Sequence, residues 1–204
     1  MELHEAMYSL RAMRRLKPDP VSEELIWRVL DAAIRAPSGG NRQPWNFIVV
    51  TDAEKKRKIG EWYLDGWNKM YGAAQGAMQA EGEQARTLRS ADHLAKHLAD
   101  APVFIIPTVR ASGVAAVSGM GSSIFPAVQN LMLAARAEGL GTTLTTLHKT
   151  HEAEVKELLG VPDGVETMCL IPMGWPKGKF GQGPRLPVEK VTYWEGWSET
   201  KTKG

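Results

Sequence analysis

The sequence predicts one α+β domain, on three observations. Segments with apolar residues at helical spacing alternate with short apolar runs of strand character. Those runs are not adjacent along the chain, and no internal repeat or low-complexity linker divides it. At 204 residues, with 43% apolar and 24% charged, the chain suits a single core spanning 1–204, because two cores would each be small.

The first clear helix is entered at Ser22, whose hydroxyl can cap it. Glu23 and Glu24 stand in its electropositive first turn, and Leu25, Ile26, Val29, Leu30 and Ala33 follow at helical spacing. It is expected to stop near Pro37. Ser38-Gly39-Gly40-Asn41 then read as a backbone-exposed turn and 45–50 (WNFIVV) as a buried strand. Residues 54–100 read as a helical, polar stretch. A solvated helix opens at 54–58, Trp62, Tyr63, Trp67, Met70 and Tyr71 crowd together, and a Gln/Glu/Ala run continues to Arg89. Residues 60–95 are accordingly expected to form a mobile excursion.

Residues 103–109 (VFIIPTV) read as a strand in which Pro107 predicts an edge or a strand end. A helix over 118–138 points Ile124, Val128, Leu131, Met132 and Ala135 inward and closes at Gly139. Next come a strand-like 142–147, a short helix over 152–159 ended at Gly160, and a strand over 167–173 (TMCLIPM). A last extended segment is expected at 187–194, before a tail, SETKTKG, expected to fray.

Charge and cysteine content exclude several function classes. Lys+Arg exceed Asp+Glu by 25 − 23 = +2, so no bulk charge steers the chain to nucleic acid or an anionic membrane. With a pI near 8.6, an anion site must be local. The single Cys169 has no internal disulfide partner and forms no multi-cysteine zinc pattern. The start, MELHEAMYSL, lacks a signal-peptide pattern, and no run reaches the roughly 18–20 apolar residues of a membrane span. A cytoplasmic protein is expected.

Chemistry concentrates in four places. Arg11, Arg14 and Arg15 lie within five residues; on a helix Arg11 and Arg15 share a face, and a phosphate suits guanidinium geometry and charge. A solvated basic helix end fits them as well. Ser38-Gly39-Gly40-Asn41-Arg42-Gln43 offers free N–H groups and amide side chains to the edge of a planar heterocycle, or is a plain connector. Its glycine order is not that of a P-loop or dinucleotide fingerprint. In 139–146 (GLGTTLTT) a strand would turn Thr143 and Thr145 one way and Thr142, Leu144 and Thr146 the other; threonine is also simply a good strand former. Arg185, in a Pro-flanked turn, is either a second clamp on the same anion or a surface arginine. His93/His97 and His148/His151 read as polar helix faces, since no carboxylate cluster or HExxH makes them a metal site. With no nucleophile signature and no evident acid–base pair, a cofactor is expected to carry the reaction.

Five blocks in order, RAMRRLKPDPV, APSGGNRQPWNFIVV, AEGLGTTLTTL, IPMGWP and GPRLPVEKV, resemble the nitroreductase superfamily of FMN-dependent flavoproteins and cover nearly all the chain outside 55–100. The resemblance implies an α/β sandwich, a central mostly antiparallel sheet flanked by helices, forming an intertwined homodimer with FMN at the interface. It assigns Arg11, Arg14 and Arg15 to the FMN phosphate and ribityl chain, and Arg185 to the phosphate. Pro37, Ser38, Asn41 and Gln43 would reach the flavin from the other subunit, and Leu144, Thr145 and Thr146 would lie beside its ring. Thr146 is the candidate catalytic residue, matching a donor to flavin N5 that permits one-electron steps in the deiodinase branch. The family's Arg-Arg-Ser-x-Arg reads Leu10-Arg11-Ala12-Met13-Arg14 here, so one arginine and a hydroxyl are missing, with Arg15 as substitute. Trp67, Met70 and Tyr71, with Trp62, are candidate substrate contacts in a lid over the flavin; core or interface packing also accounts for them.

The implied activity is reduction of a nitroaromatic, quinone or enone with NAD(P)H in ping-pong order. A deiodinase-type reductive dehalogenase is the alternative, although its Glu-x-x-x-Tyr reads Trp67 to Tyr71 here, so the carboxylate is missing, with Lys96 as a candidate for its cation. A non-catalytic flavin-binding protein is the third reading. NADH and NADPH stay open, because the family has no separate Rossmann pocket to read.

Overall fold

One antiparallel sheet with helices on both faces organises the chain, and its central strand shows why. The computed structural model describes residues 1–110 and 114–201, so the last three residues of the expected frayed tail lie outside the described residues. Strands β1 (Trp45–Val50), β2 (Val103–Arg110), β3 (Gly141–Thr142), β4 (Val165–Thr167) and β5 (Ile171–Gly174) form a five-stranded sheet in the order β1-β2-β5-β3, with β4 also on β2. Every pairing is antiparallel. Because side chains alternate across a strand, β2 feeds two cores. Val103, Ile105 and Val109 join Ile26, Val29 and Leu30 of α2 (Glu23–Ala33) and Ile124, Val128 and Leu131 of α6 (Val114–Ala137). Phe104 and Ile106 join Ile59, Tyr63 and Trp67 of α3 (Ala53–Tyr71) and Leu94 of α5 (Glu83–His97) on the other face.

The excursion expected at 60–95 is helical and in part core: α3, the short α4 (Gln75–Gln79) and α5 occupy that stretch, and Ile59, Tyr63 and Trp67 of α3 with Leu94 and Ala95 of α5 belong to the second core. Polar residues on their outer faces masked the apolar stripe. Pro107 likewise lies in the central strand, not at an edge or an end. It has no N–H to donate, and the neighbouring strand is interrupted beside it. Thr108 pairs with Thr167 while Ile105 pairs with Ile171, so 168–170 form a bulge opposite 106–107. The single strand expected at 167–173 is therefore split into β4 and β5, and the N–H of Met168 bonds to the Pro107 carbonyl at 2.8 Å.

Local signals set most helix ends. Ser22 Oγ accepts from the Leu25 N–H (3.3 Å), and Asp52 Oδ1 accepts from the Lys55 N–H (2.8 Å), capping α2 and α3. Helix α2 ends at Ala33, short of Pro37, because single turns at Arg35 and Ala36 replace it. Helix α7 (Glu152–Leu159) stops at Gly160, whose φ of 64° is the left-handed cap. The strand expected at 142–147 shrinks to β3 plus one bridge, Thr145 to Leu170, before a 3-10 turn at Leu147–His151. Instead of an extended 187–194, a 3-10 turn at Val188–Lys190 leads into an exposed arm.

Candidate functional site

The site is built where the chain's beginning meets the short strand β3. After α1 (Leu3–Ser9) the chain runs extended: the Met13 N–H bonds to the Thr142 carbonyl (2.9 Å), Leu16 bridges Pro176, and the Lys17 N–H bonds to the Trp175 carbonyl (2.7 Å). The helical pairing of Arg11 with Arg15 is thereby corrected, since the exposed edge of the β3–β5 pair takes up this segment as extended chain. The three guanidiniums part. Arg11 donates to the Lys179 carbonyl (2.9 Å) and lines one cavity. Arg14, half-buried, lines another. Arg15 lines neither; it lies near His93, whose pKa is lowered by burial and then by this arginine's charge.

The smaller cavity, about 300 Å³, brings Arg11 together with Arg185, although they come from opposite ends of the chain, and adds Thr142, Thr143 and Leu144. The hydroxyls of Thr142 and Thr143 are buried and have no hydrogen-bond partner among the described residues. An unpartnered buried hydroxyl costs about 1–3 kcal/mol, so this pair marks a place for a polar ligand.

The larger cavity, about 450 Å³, shares Thr143 and Leu144 with the first and continues along Thr145, Thr146 and Leu147. Its other wall is one face of α3, where Tyr63, Trp67, Met70 and Tyr71 recur at i, i+4, i+7 and i+8. Trp67 is buried, donates from Nε1 to Asp92 Oδ1 (3.2 Å), and stacks on Tyr71 with ring centres 4.6 Å apart. The Tyr63 hydroxyl lies 2.9 Å from Thr145 Oγ1, which also accepts from the Leu147 N–H at 3.4 Å. Burial pushes the Tyr63 phenol up, so it keeps its proton, and pushes the Arg14 pKa down.

Arg11, Arg14, Leu144, Thr145, Thr146, Arg185, Trp67, Met70 and Tyr71 thus fall around two joined cavities. Pro37, Ser38, Asn41 and Gln43 do not. They form a turn of their own, in which Ser38 Oγ accepts from the Gln43 N–H (3.0 Å) and the Gln43 amide donates to Asn41 Oδ1 (3.3 Å). Trp62 turns away from the larger cavity and stacks on His151 at 6.4 Å. Tyr63, Lys149 and Thr150 are cavity residues that the sequence reading missed. Tyr63 was findable, being on the helical stripe of Trp67 and Tyr71. Lys149 and Thr150 carried no signal, because the 3-10 turn that folds them back follows no periodicity.

The histidines are also reassigned. His148 is fully buried, not on a polar face: its Nε2 lies 3.0 Å from Thr167 Oγ1, and burial pushes its pKa down to about 4. His151 bonds Asp65 (2.6 Å) and Glu154 (3.1 Å), which raise its pKa. His93 and His97 stack at 4.3 Å.

Comparison with known proteins agrees with this architecture. The profile of the nitroreductase family matches residues 9–175, and the chain belongs to that family. It is 29% identical over 201 residues to a Thermus thermophilus protein named NADH dehydrogenase, covering 90% of this chain and 91% of that one. It is 30% identical over 182 residues to iodotyrosine deiodinase 1 of Rattus norvegicus, covering 86% of this chain and 62% of that protein. Its fold matches a crystal structure of oxidised iodotyrosine deiodinase bound to FMN and 3-iodo-L-tyrosine with a TM-score of 0.74 at 24% identity, covering 92% and 96% of the two chains.

Proposed function

We propose that this protein is an FMN-dependent oxidoreductase that uses NAD(P)H to reduce an electron-poor small molecule, a nitroaromatic, quinone or enone. One observation carries the reading: Arg11 and Arg185 converge on a single cavity that is also lined by Thr142 and Thr143, whose buried hydroxyls are unpartnered among the described residues, and that meets the aromatic-walled cavity at Thr143 and Leu144. These residues fit FMN. Two guanidiniums match a phosphate dianion, free hydroxyls suit a polyol chain, and the larger cavity offers Arg14, Thr145 and Thr146 to the polar edge of a flat ring. Bound FMN would supply reversible electron transfer between the nicotinamide and the acceptor. The chain's part is to hold the phosphate, bury the ring and present one open cavity. Donor and acceptor need that same cavity, so they bind in turn, in ping-pong order. The relative named NADH dehydrogenase supports a nicotinamide donor.

The turn at Pro37, Ser38, Asn41 and Gln43 lies apart from both cavities of its own chain. In this reading it serves the cavity of a second copy, which makes the working unit a homodimer. Deiodination of a halotyrosine is less well supported. Lys96 is not among the residues lining the larger cavity, and the described lining holds no carboxylate for an amino acid's ammonium group.

The test is the visible spectrum of the purified protein, before and after adding FMN and desalting. Flavin bands at about one per chain, bleached by NADH or NADPH and restored by a quinone, are expected. A protein that holds no added FMN overturns the proposal, and one that holds FMN but is never reduced is a binding protein only.

A further inference from the structure

Lys149 ends a polar chain that rises from the core. Thr167 and His148 are fully buried. Thr167 Oγ1 donates to Glu152 Oε1 (2.5 Å) and lies 3.0 Å from His148 Nε2, while both Glu152 oxygens accept from Lys149 Nζ at 2.8 Å. An ionised carboxylate only accepts, so the Thr167 proton points to Glu152 and its lone pair takes the Nε2–H of a neutral His148. Lys149 lines the larger cavity and Glu152 does not, so the ion pair presents its ammonium end there. The described lining adds a second cation, Arg14, and no carboxylate. With Arg14 assigned to the cofactor, Lys149 is left to face a second molecule. Tyr71, stacked on Trp67, supplies a flat wall.

We propose that the acceptor entering this cavity is a planar aromatic molecule bearing an anionic group, that Lys149 recognises the charge, and that Glu152 and Thr167 are the positioning residues behind it. The proposal rests on the flavin reading above and names the substrate class of the same site. A lining with cations and no carboxylate disfavours ammonium-bearing molecules as it favours carboxylates. The Lys149 side chain is 37% exposed, so solvent screens it and the preference expected is about tenfold.

The experiment measures binding of 4-nitrobenzoate and of its neutral isostere 4-nitrobenzamide to the oxidised protein by calorimetry, with flavin absorbance read on the same samples. Wild type is expected to bind the benzoate about tenfold more tightly. Lys149→Met should bring the ratio to about one without altering benzamide binding, and Lys149→Arg should keep most of it. Thr167→Val should lower the ratio part way at unchanged benzamide affinity, a split that a merely structural threonine would not produce. Equal binding of both probes by wild type, or a ratio that survives Lys149→Met, overturns the proposal. Flavin-loaded protein without discrimination sinks this inference alone. Flavin-free protein that still discriminates through Lys149 sinks the flavin reading and keeps the anion site.

Discussion

At the scale of single residues, the arginines divide by where the extended chain leaves them. Arg11 and Arg185 line the same cavity, so Arg185→Ala should yield largely colourless protein with unchanged helicity. Losing one charge-assisted bond, about 1.5–3 kcal/mol, weakens FMN binding roughly 10- to 150-fold. Arg15→Ala should leave FMN affinity as it is, because Arg15 lines neither cavity. Fluorescence titration of FMN into both variants checks the pair; equal losses would reject the division. His148 makes a separate prediction. Above its ordinary value of 6.5 the imidazole is neutral folded or unfolded; between 6.5 and about 4 only the unfolded chain takes up the proton. Stability is therefore full above that window and falls as pH drops through it, by about 2 kcal/mol at pH 5. Urea denaturation at pH 7.5 and pH 5 should show this loss in wild type and about 2 kcal/mol less of it in His148→Gln.

At the scale of elements, the approach of α3 to the 3-10 turn at Leu147–His151 shapes the larger cavity. It depends on Gly66, where a Cβ would overlap Thr150 Oγ1, itself donating to the Leu147 carbonyl at 2.8 Å. Gly66→Ala gains about 1 kcal/mol of helix propensity but must push the turn away, at a cost of about 1–3 kcal/mol. Net destabilisation is expected, and adding Thr150→Ala should recover most of it. Denaturant midpoints of the two single variants and the double variant measure the coupling; strict additivity would show that the two residues do not touch. The bulge opposite Pro107 acts at the same scale. It leaves Leu170 to pair with Thr145 through bonds of 2.8 and 3.0 Å, which holds the cavity floor at Thr145 and Thr146.

At the scale of the whole molecule, large apolar side chains stand exposed on the C-terminal arm and on α2: Trp197 is 85% exposed, Leu186 69% and Trp27 69%. The proposed homodimer would supply a cover for side chains of this size. If the turn at 37–43 completes the partner's cavity, dilution should dissociate the dimer and release FMN over the same concentration range. Sedimentation velocity paired with the fluorescence of freed FMN checks this. A monomer that kept stoichiometric flavin would remove the shared site.

What the sequence by itself determined is what depends on neighbours a few residues apart or on ordered blocks. The cap at Ser22, the left-handed stop at Gly160, the apolar run of β2 and the α+β class follow from local periodicity and turn chemistry. The five ordered blocks were enough for the family, and they named Arg11, Thr145, Thr146 and Arg185 before any contact was known. The tertiary structure alone decided which of those residues meet. It joined Arg11 to Arg185, separated Arg15 from Arg14, put Pro107 in the middle of the sheet, and sank His148 beneath Lys149. The reason is physical: a helix or a turn satisfies its hydrogen bonds within a few residues, whereas a sheet, a buried polar chain and a cavity satisfy theirs through partners that no local window contains.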